Sequence, residues 1–199
     1  MRVVAILLAA GAGRRIGGCK ALLRDGDDRS FLAVCHERLS QPGVEATVAV
    51  TGTDAEAVAR AAAGLPRLEC VANPRHAEGM LGSLLVGLER AERRGADAVL
   101  VHPVDHPLVE PGTVARVVTA LQRGAAIAVP SWEGRRGHPG GFAASVWPAL
   151  REASPERGAR EVLARQAGSV VHVEGDPGCR VGIDTPADYR RVWGAEPRF

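Results

Sequence analysis

Apolar positions along this chain fall into short continuous runs, separated by longer stretches of mixed polarity. Residues 3–8 read Val-Val-Ala-Ile-Leu-Leu without a polar break and run into a glycine-rich turn. An unbroken, partly β-branched run of that length is the pattern of a strand covered on both faces. Runs at residues 46–50, 68–72, 98–101, 126–129 and 170–173 predict five more strands. The intervening stretches predict helices. Ser30 caps one that reaches about residue 40, before Pro42-Gly43 breaks it. Thr53 or Asp54 caps a second, to about residue 63, and residues 83–94 form an amphipathic third with Leu84, Leu85 and Leu88 on its apolar side. Residues 111–123 carry Pro at the first turn, 146–152 and 159–166 read as helical, and 186–193 closes the chain before a frayed tail at 194–199.

Strands and helices that alternate in this way imply an α/β fold: a three-layer sandwich around a mostly parallel, Rossmann-like sheet. No linker divides the chain, so residues 1–193 read as a single domain and 194–199 as a C-terminal tail. In such sheets ligands bind beyond the C-terminal ends of the strands. The loops after residues 8, 51, 72, 101 and 183 are therefore where chemistry is expected.

Composition narrows the classes. The chain has 199 residues, 46% of them hydrophobic, and a net charge of +2. That is enough apolar material for a full core and argues against disorder. With 25 basic against 23 acidic residues there is no general basic field to support nucleic-acid binding. No apolar run approaches the roughly 18–20 residues of a membrane span. Cys19, Cys35, Cys70 and Cys179 form no Cys-x-x-Cys pair, so no zinc ribbon or dithiol site is expected and a reduced, cytoplasmic protein is. The short apolar start superficially resembles a signal peptide, but residues 11–20 make better sense as a loop than as a cleavage region.

That first loop is Leu8-Ala9-Ala10-Gly11-Ala12-Gly13-Arg14-Arg15-Ile16-Gly17-Gly18-Cys19-Lys20. Glycines let a backbone approach a phosphate chain and aim N–H groups at it, and Arg15 and Lys20 would neutralise phosphate oxygens. The bland alternative is a solvated glycine-rich turn. Neither familiar phosphate loop fits. A dinucleotide fingerprint needs glycine where Ile16 stands, and a P-loop needs Gly-Lys-Ser/Thr where Cys19 separates Gly18 from Lys20 and Ala21 follows.

The pattern Leu8-Ala-Ala-Gly-x-Gly-x-Arg15-Ile-Gly17-x-x-Lys20 resembles the signature of the molybdenum-cofactor nucleotidyltransferases, the MobA-like NTP transferases. Wider relatives of that family include sugar-phosphate and methylerythritol-phosphate nucleotidylyltransferases. The resemblance implies the nucleotide-diphospho-sugar transferase type of sheet, with Leu8, Ala9, Ala10, Gly11, Gly13, Arg15 and Lys20 around the triphosphate of an NTP. Five further segments are similar to the family. Asn73-Pro74…Gly79-Met80-x-x-Ser83 implies contact of Gly79 and Ser83 with base and ribose, although Ser83 also reads as a helix cap. Asp105-His106-Pro107 matches an Asp-x-Pro motif whose aspartate holds magnesium, with His106 where glutamine is usual and His102 three residues earlier. A histidine-rich cluster also suits a softer metal such as manganese or zinc. Gly137-His138-Pro139 resembles the wall facing the acceptor, which with His106 gives an acceptor-binding group, and Gly158-Ala159-Arg160 resembles a segment of the cytidylyltransferases. Ile183-Asp184-Thr185-Pro186-x-Asp188-Tyr189 is similar to the closing motif, which makes Asp184 the second metal carboxylate; Gly182 replaces that motif's first aspartate.

The resemblance implies a magnesium-dependent nucleotidyltransferase. An acceptor phosphate attacks the α-phosphorus of the NTP and pyrophosphate leaves, with Arg15, Lys20 and Asp105 as the catalytic set. Ala10, where a guanylyltransferase usually has a second glycine, implies CTP as donor and molybdopterin as acceptor, with a molybdenum enzyme to receive the product. Three readings stay open beside it. One has a sugar phosphate or another small phosphate as acceptor, one is a non-catalytic accessory protein that binds nucleotide or cofactor, and one is an NAD-dependent oxidoreductase, against which Ile16 argues.

Overall fold

The run at residues 3–8 forms the middle of the sheet. In a computed structural model that describes residues 1–199, β1 (Val3–Ala9) is buried along its whole length. Val3, Ala5 and Leu7 face one core and Val4, Ile6 and Leu8 the other. β2 (Val44–Thr51), β3 (Leu68–Ala72) and β4 (Ala98–Pro103) follow, all parallel to it, with β2 and β4 on its two sides. β5 (Ile127–Trp132), β6 (Arg135–Arg136), β7 (Gly140–Ala143) and β8 (Val170–Glu174) complete a sheet ordered β3-β2-β1-β4-β7-β5-β6, with β8 also paired to β5.

Seven helices cover both faces. They are α1 (Phe31–Leu39), α2 (Ala55–Ala62), α3 (Met80–Arg93), α4 (Pro111–Gln122), α5 (Trp147–Arg151), α6 (Ala159–Arg165) and α7 (Pro186–Trp193). α1, α2 and α4, with Tyr189 of α7, share the core of Leu7. Leu81, Leu84 and Leu88 of α3, Trp147 and Leu150 of α5 and Val162 of α6 share that of Ile6. This is the three-layer α/β sandwich that the alternation predicts. Continuous apolar runs read correctly as strands because helices cover both of their faces.

The structure differs from the sequence reading in three places. β6 and β7 are antiparallel strands with no apolar run to announce them; β7 reads Gly-Gly-Phe-Ala and lies between β4 and β5, against Val117 and Leu121 of α4. α3 begins at Met80, so Ser83 is not its cap but lies buried within the first turn. The tail expected to fray is docked: the Arg24 N–H donates to the Arg198 carbonyl at 2.8 Å, and the Phe199 ring lies over Gly18. Trp193 anchors it from within α7 by packing on Phe31 and Tyr189, at 5.5 and 4.6 Å between ring centroids. No helix is long and apolar enough to cross a membrane.

The register sets up the site. Leu8 stands opposite Pro103, and the Val104 N–H donates to the Leu8 carbonyl at 3.1 Å. The glycine-rich loop after β1 and the Asp105 loop after β4 therefore leave the sheet side by side.

Candidate active site

Four of the predicted residues converge where these loops meet. The glycine-rich loop turns at Gly13, which has φ +58°, and its carbonyl accepts from the Ile16 and Gly17 N–H groups at 3.1 and 3.0 Å. A β-carbon at Gly13 would fall 1.7 Å from the Gly18 carbonyl oxygen, so the turn closes only with glycine there. Ile16 is buried as the plug of the loop, while Arg14 and Arg15 stay exposed. The loop ends in a short 3-10 turn, Lys20–Leu22, which aims Lys20 back across the strand ends.

The Lys20 Nζ donates to Asp105 Oδ2 at 2.7 Å and to Asp184 Oδ1. Arg15 approaches the same Asp184 oxygen at 3.0 Å. Asp184 reaches this point because α7 is held by a reciprocal cap: the Thr185 hydroxyl accepts from the Asp188 N–H, and the Asp188 carboxylate accepts from the Thr185 and Asp184 N–H groups. The Ile183 N–H donates to the Asp105 carbonyl at 2.8 Å and ties the two acidic loops together. Burial opposes charge on Lys20, but the facing carboxylates of Asp105 and Asp184 outweigh it and hold its pKa above the ordinary lysine value. Burial likewise raises the Asp105 pKa; the His106 hydrogen bond and the Lys20 charge overcome it and hold the carboxyl well below the usual carboxylate range.

Three histidines surround Asp105. His106 Nδ1 lies 2.9 Å from Asp105 Oδ1. An ionised carboxylate only accepts, so this nitrogen carries the proton. His102 Nε2 lies 3.0 Å from the His106 carbonyl and donates to it, which leaves His102 Nδ1 bare, buried and without a partner. The His138 ring meets that of His106 edge-on, with centroids 4.6 Å apart. Gly137 sits against Cys179, and the His138 N–H donates to the Cys179 carbonyl at 2.8 Å. His106 and His138 thus lie together, with Gly137 next to His138 in the chain. One nitrogen of each ring is committed, His102 Nε2 to a carbonyl and His106 Nδ1 to Asp105. No group of three or more histidine, cysteine or acidic side chains is arranged to hold a metal.

A magnesium ion is a different case. The Lys20 ammonium touches both Asp105 Oδ2 and Asp184 Oδ1, so a single cation can reach both carboxylates. Two carboxylate oxygens, with the remaining positions left to phosphate and water, is the donor set that magnesium prefers.

Ala10 and Gly11 follow the end of β1, and Gly79 stands exposed ahead of α3. Ser83 is engaged from above: Asn73 Nδ2 donates to its hydroxyl at 3.1 Å, and Asn73 Oδ1 accepts from the Arg75 N–H at 3.0 Å. In this structure Ser83 braces the loop after β3. His76, which the sequence reading passed over, caps the neighbouring loop; its Nε2 lies 2.9 Å from the Thr53 hydroxyl, and its ring packs on Gly52. No spacing in the sequence marks it, because its neighbours come from the loop after β2.

The buried histidines make the protein acid-sensitive. Burial, with His106 alongside, pushes His102 down to about 3. Burial also lowers His138 well below the ordinary histidine value and lowers His36. In the unfolded chain these groups titrate near 6.5. Between pH 6.5 and 3 the unfolded state therefore binds more protons, and stability falls as pH falls. Across that window His102 contributes about 1.4 kcal/mol per pH unit, and His36 and His138 act in the same direction. Urea unfolding between pH 7 and 4 measures the slope. His102→Gln should flatten it by about that amount, and an unchanged slope would show that His102 is not held neutral.

Comparison with known proteins follows the same lines. Residues 5–170 match the MobA-like NTP transferase domain. The chain is 36% identical over 149 residues to a molybdenum cofactor guanylyltransferase of Cereibacter sphaeroides, covering 74% of this chain and 70% of that one. It is 34% identical over 180 residues to nicotine blue oxidoreductase of Paenarthrobacter nicotinovorans, covering 82% of each. Among solved structures it is similar to Rv0371c of Mycobacterium tuberculosis H37Rv, with a TM-score of 0.84, 28% identity and coverage of 98% of this chain and 99% of that one. The match over most of the sheet, joined to a glycine-rich loop and two acidic loops at its C-terminal edge, shows that the chain belongs to the MobA-like NTP transferase family.

Proposed function

We propose that the protein transfers a nucleoside monophosphate from an NTP to a phosphate-bearing acceptor of the molybdopterin kind and releases pyrophosphate. The observation that carries this reading is the balanced cluster of two carboxylates, Asp105 and Asp184, with two cations, Lys20 and Arg15, beside a phosphate-type loop. A triphosphate brings several further negative charges, which Lys20 and Arg15, already neutralised, cannot match alone. Asp105 and Asp184 would hold a magnesium ion, which when bound neutralises phosphate charge and polarises the α-phosphorus. Lys20 then turns from the carboxylates to the phosphate chain, and with Arg15 it stabilises charge as pyrophosphate departs. An acceptor phosphate is already ionised, so the remaining task is alignment, which falls to the wall of His106, Gly137 and His138. A molybdenum enzyme would receive the product.

The donor base is the finer question. Ala10 favours CTP, and a relative named 2-C-methyl-D-erythritol 4-phosphate cytidylyltransferase, from Cereibacter sphaeroides, is 30% identical with 96% of each chain covered. The relatives named guanylyltransferases favour GTP. The relative named nicotine blue oxidoreductase supports a second reading, in which the same fold binds a redox nucleotide. Ile16 at the position of the third fingerprint glycine, and the Asp105–Lys20–Asp184 cluster, favour phosphate chemistry over it.

A thermal-shift panel with CTP, GTP, ATP, UTP and NAD, with and without magnesium, separates these readings. A ligand at a hundred times its dissociation constant adds about 2.7 kcal/mol, roughly 5–10 °C for a chain of this size. A magnesium-dependent shift with one NTP, followed by pyrophosphate release with molybdopterin, is the expected result. A shift with NAD alone supports the oxidoreductase. Tight NTP binding with no pyrophosphate from any acceptor supports an accessory protein.

A further inference from the structure

We propose that His106 is a positioning residue that fixes the face Asp105 presents to the cation, and that Gly182 is the space this arrangement requires. The inference rests on the reading of Asp105 and Asp184 as the cation-binding pair. Asp105 has two carboxylate oxygens with separate partners. Oδ2 faces Lys20 at 2.7 Å, at the point where both acidic loops meet, and Oδ1 accepts from His106 Nδ1 at 2.9 Å. His106 is itself fixed from three directions. His102 donates to its carbonyl at 3.0 Å. The His138 ring stands edge-on against it at 4.6 Å. On the remaining side Gly182 approaches so closely that a β-carbon there would lie 3.2 Å from His106 Cε1 and 3.3 Å from Nε2. A side chain at position 182 would therefore press its β-carbon on the imidazole, which must give by a few tenths of an ångström. The imidazole stays in place, and Asp105 receives an N–H donor where an acidic residue at 182 would have brought a third negative charge.

A hydrogen bond to the outer oxygen of a ligating carboxylate sets its orientation, and its loss typically costs about 10–100-fold in metal affinity. Four variants separate the bond from the packing. His106→Phe keeps a ring between Gly182 and His138 but cannot donate. His106→Asn keeps an N–H close to the position of Nδ1 in a smaller side chain. Gly182→Ala pushes on the imidazole, and the double variant His106→Asn/Gly182→Ala relieves that push. The readout is the dissociation constant of Mn2+, followed by the electron-spin-resonance signal of the free ion, with the α,β-methylene analogue of GTP or CTP present. His106→Phe should weaken Mn2+ by about 10–100-fold. His106→Asn should stay within a few-fold of the parent protein, and the loss seen in Gly182→Ala should be recovered in the double variant. Affinity for the analogue without Mn2+ and the thermal midpoint should stay near the parent values in His106→Phe, which a general collapse of the wall would not allow. Equal Mn2+ affinity in His106→Phe and the parent protein overturns the proposal while leaving the carboxylate pair standing. If the parent protein binds no Mn2+ with either analogue, the carboxylate reading itself falls, and this inference with it.

Discussion

Asp105→Asn is expected to slow nucleotidyl transfer by about 10²–10³-fold, the usual effect of removing one charge-stabilising group from such a site. The substitution is conservative in shape. The Asn side-chain oxygen can still accept from His106 Nδ1, and the Ile183 N–H to residue 105 carbonyl bond is a backbone contact that the change does not touch. What disappears is a carboxylate that His106 and Lys20 hold ionised. Metal-free NTP should bind at least as well as before, because a negative charge near the triphosphate has gone, while the gain in affinity that magnesium confers should vanish. Steady-state pyrophosphate release and thermal shifts with and without magnesium give both quantities. Near-normal turnover would show that Asp105 does not hold the metal.

Lys20→Gln should lose a comparable factor, about 10²–10³ in rate, yet shift metal binding in the opposite direction. The ammonium occupies the point at which Asp105 Oδ2 and Asp184 Oδ1 meet, with only 15% of its side chain exposed. In the ligand-free protein it competes with any divalent ion for those oxygens. Its removal should therefore strengthen Mn2+ binding in the absence of nucleotide, even as catalysis fails, because Lys20 no longer moves to the phosphates. Calorimetric titration of Mn2+ into ligand-free protein tests the sign. Weaker Mn2+ binding by Lys20→Gln than by the parent protein would mean that the lysine supports the metal site rather than standing in for the ion. The two substitutions act on one cluster, so their effects should not add.

The sequence by itself determined the parallel part of the sheet and the candidates for the site. β1, β2 and β4 are legible because a strand sandwiched between two helical layers is apolar at every position, and that shows in one dimension. The glycine-rich loop, Asp105 and Asp184 are legible because each ends a strand or opens a helix, where local spacing and local capping decide the structure. Other features depend on partners distant in the chain. β7 is a strand because β4 and β5 flank it, and its Gly-Gly-Phe-Ala carries no propensity of its own. Ser83 reads as a cap in the sequence and is a buried brace in the fold, since Asn73 descends on it from another element. The tail docks because the Arg24 N–H and Gly18 offer a backbone donor and a flat surface that its own residues do not reveal. His106 shows the division most clearly. In sequence it and Gly182 are two separate departures from a motif, 76 positions apart by their numbering. Only the folded chain, by tying the Asp105 and Ile183 backbones together, makes them neighbours. Hydrophobic pattern and turn chemistry are local and survive in the sequence; excluded volume and pairing between loops exist only once the sheet has brought the strand ends together.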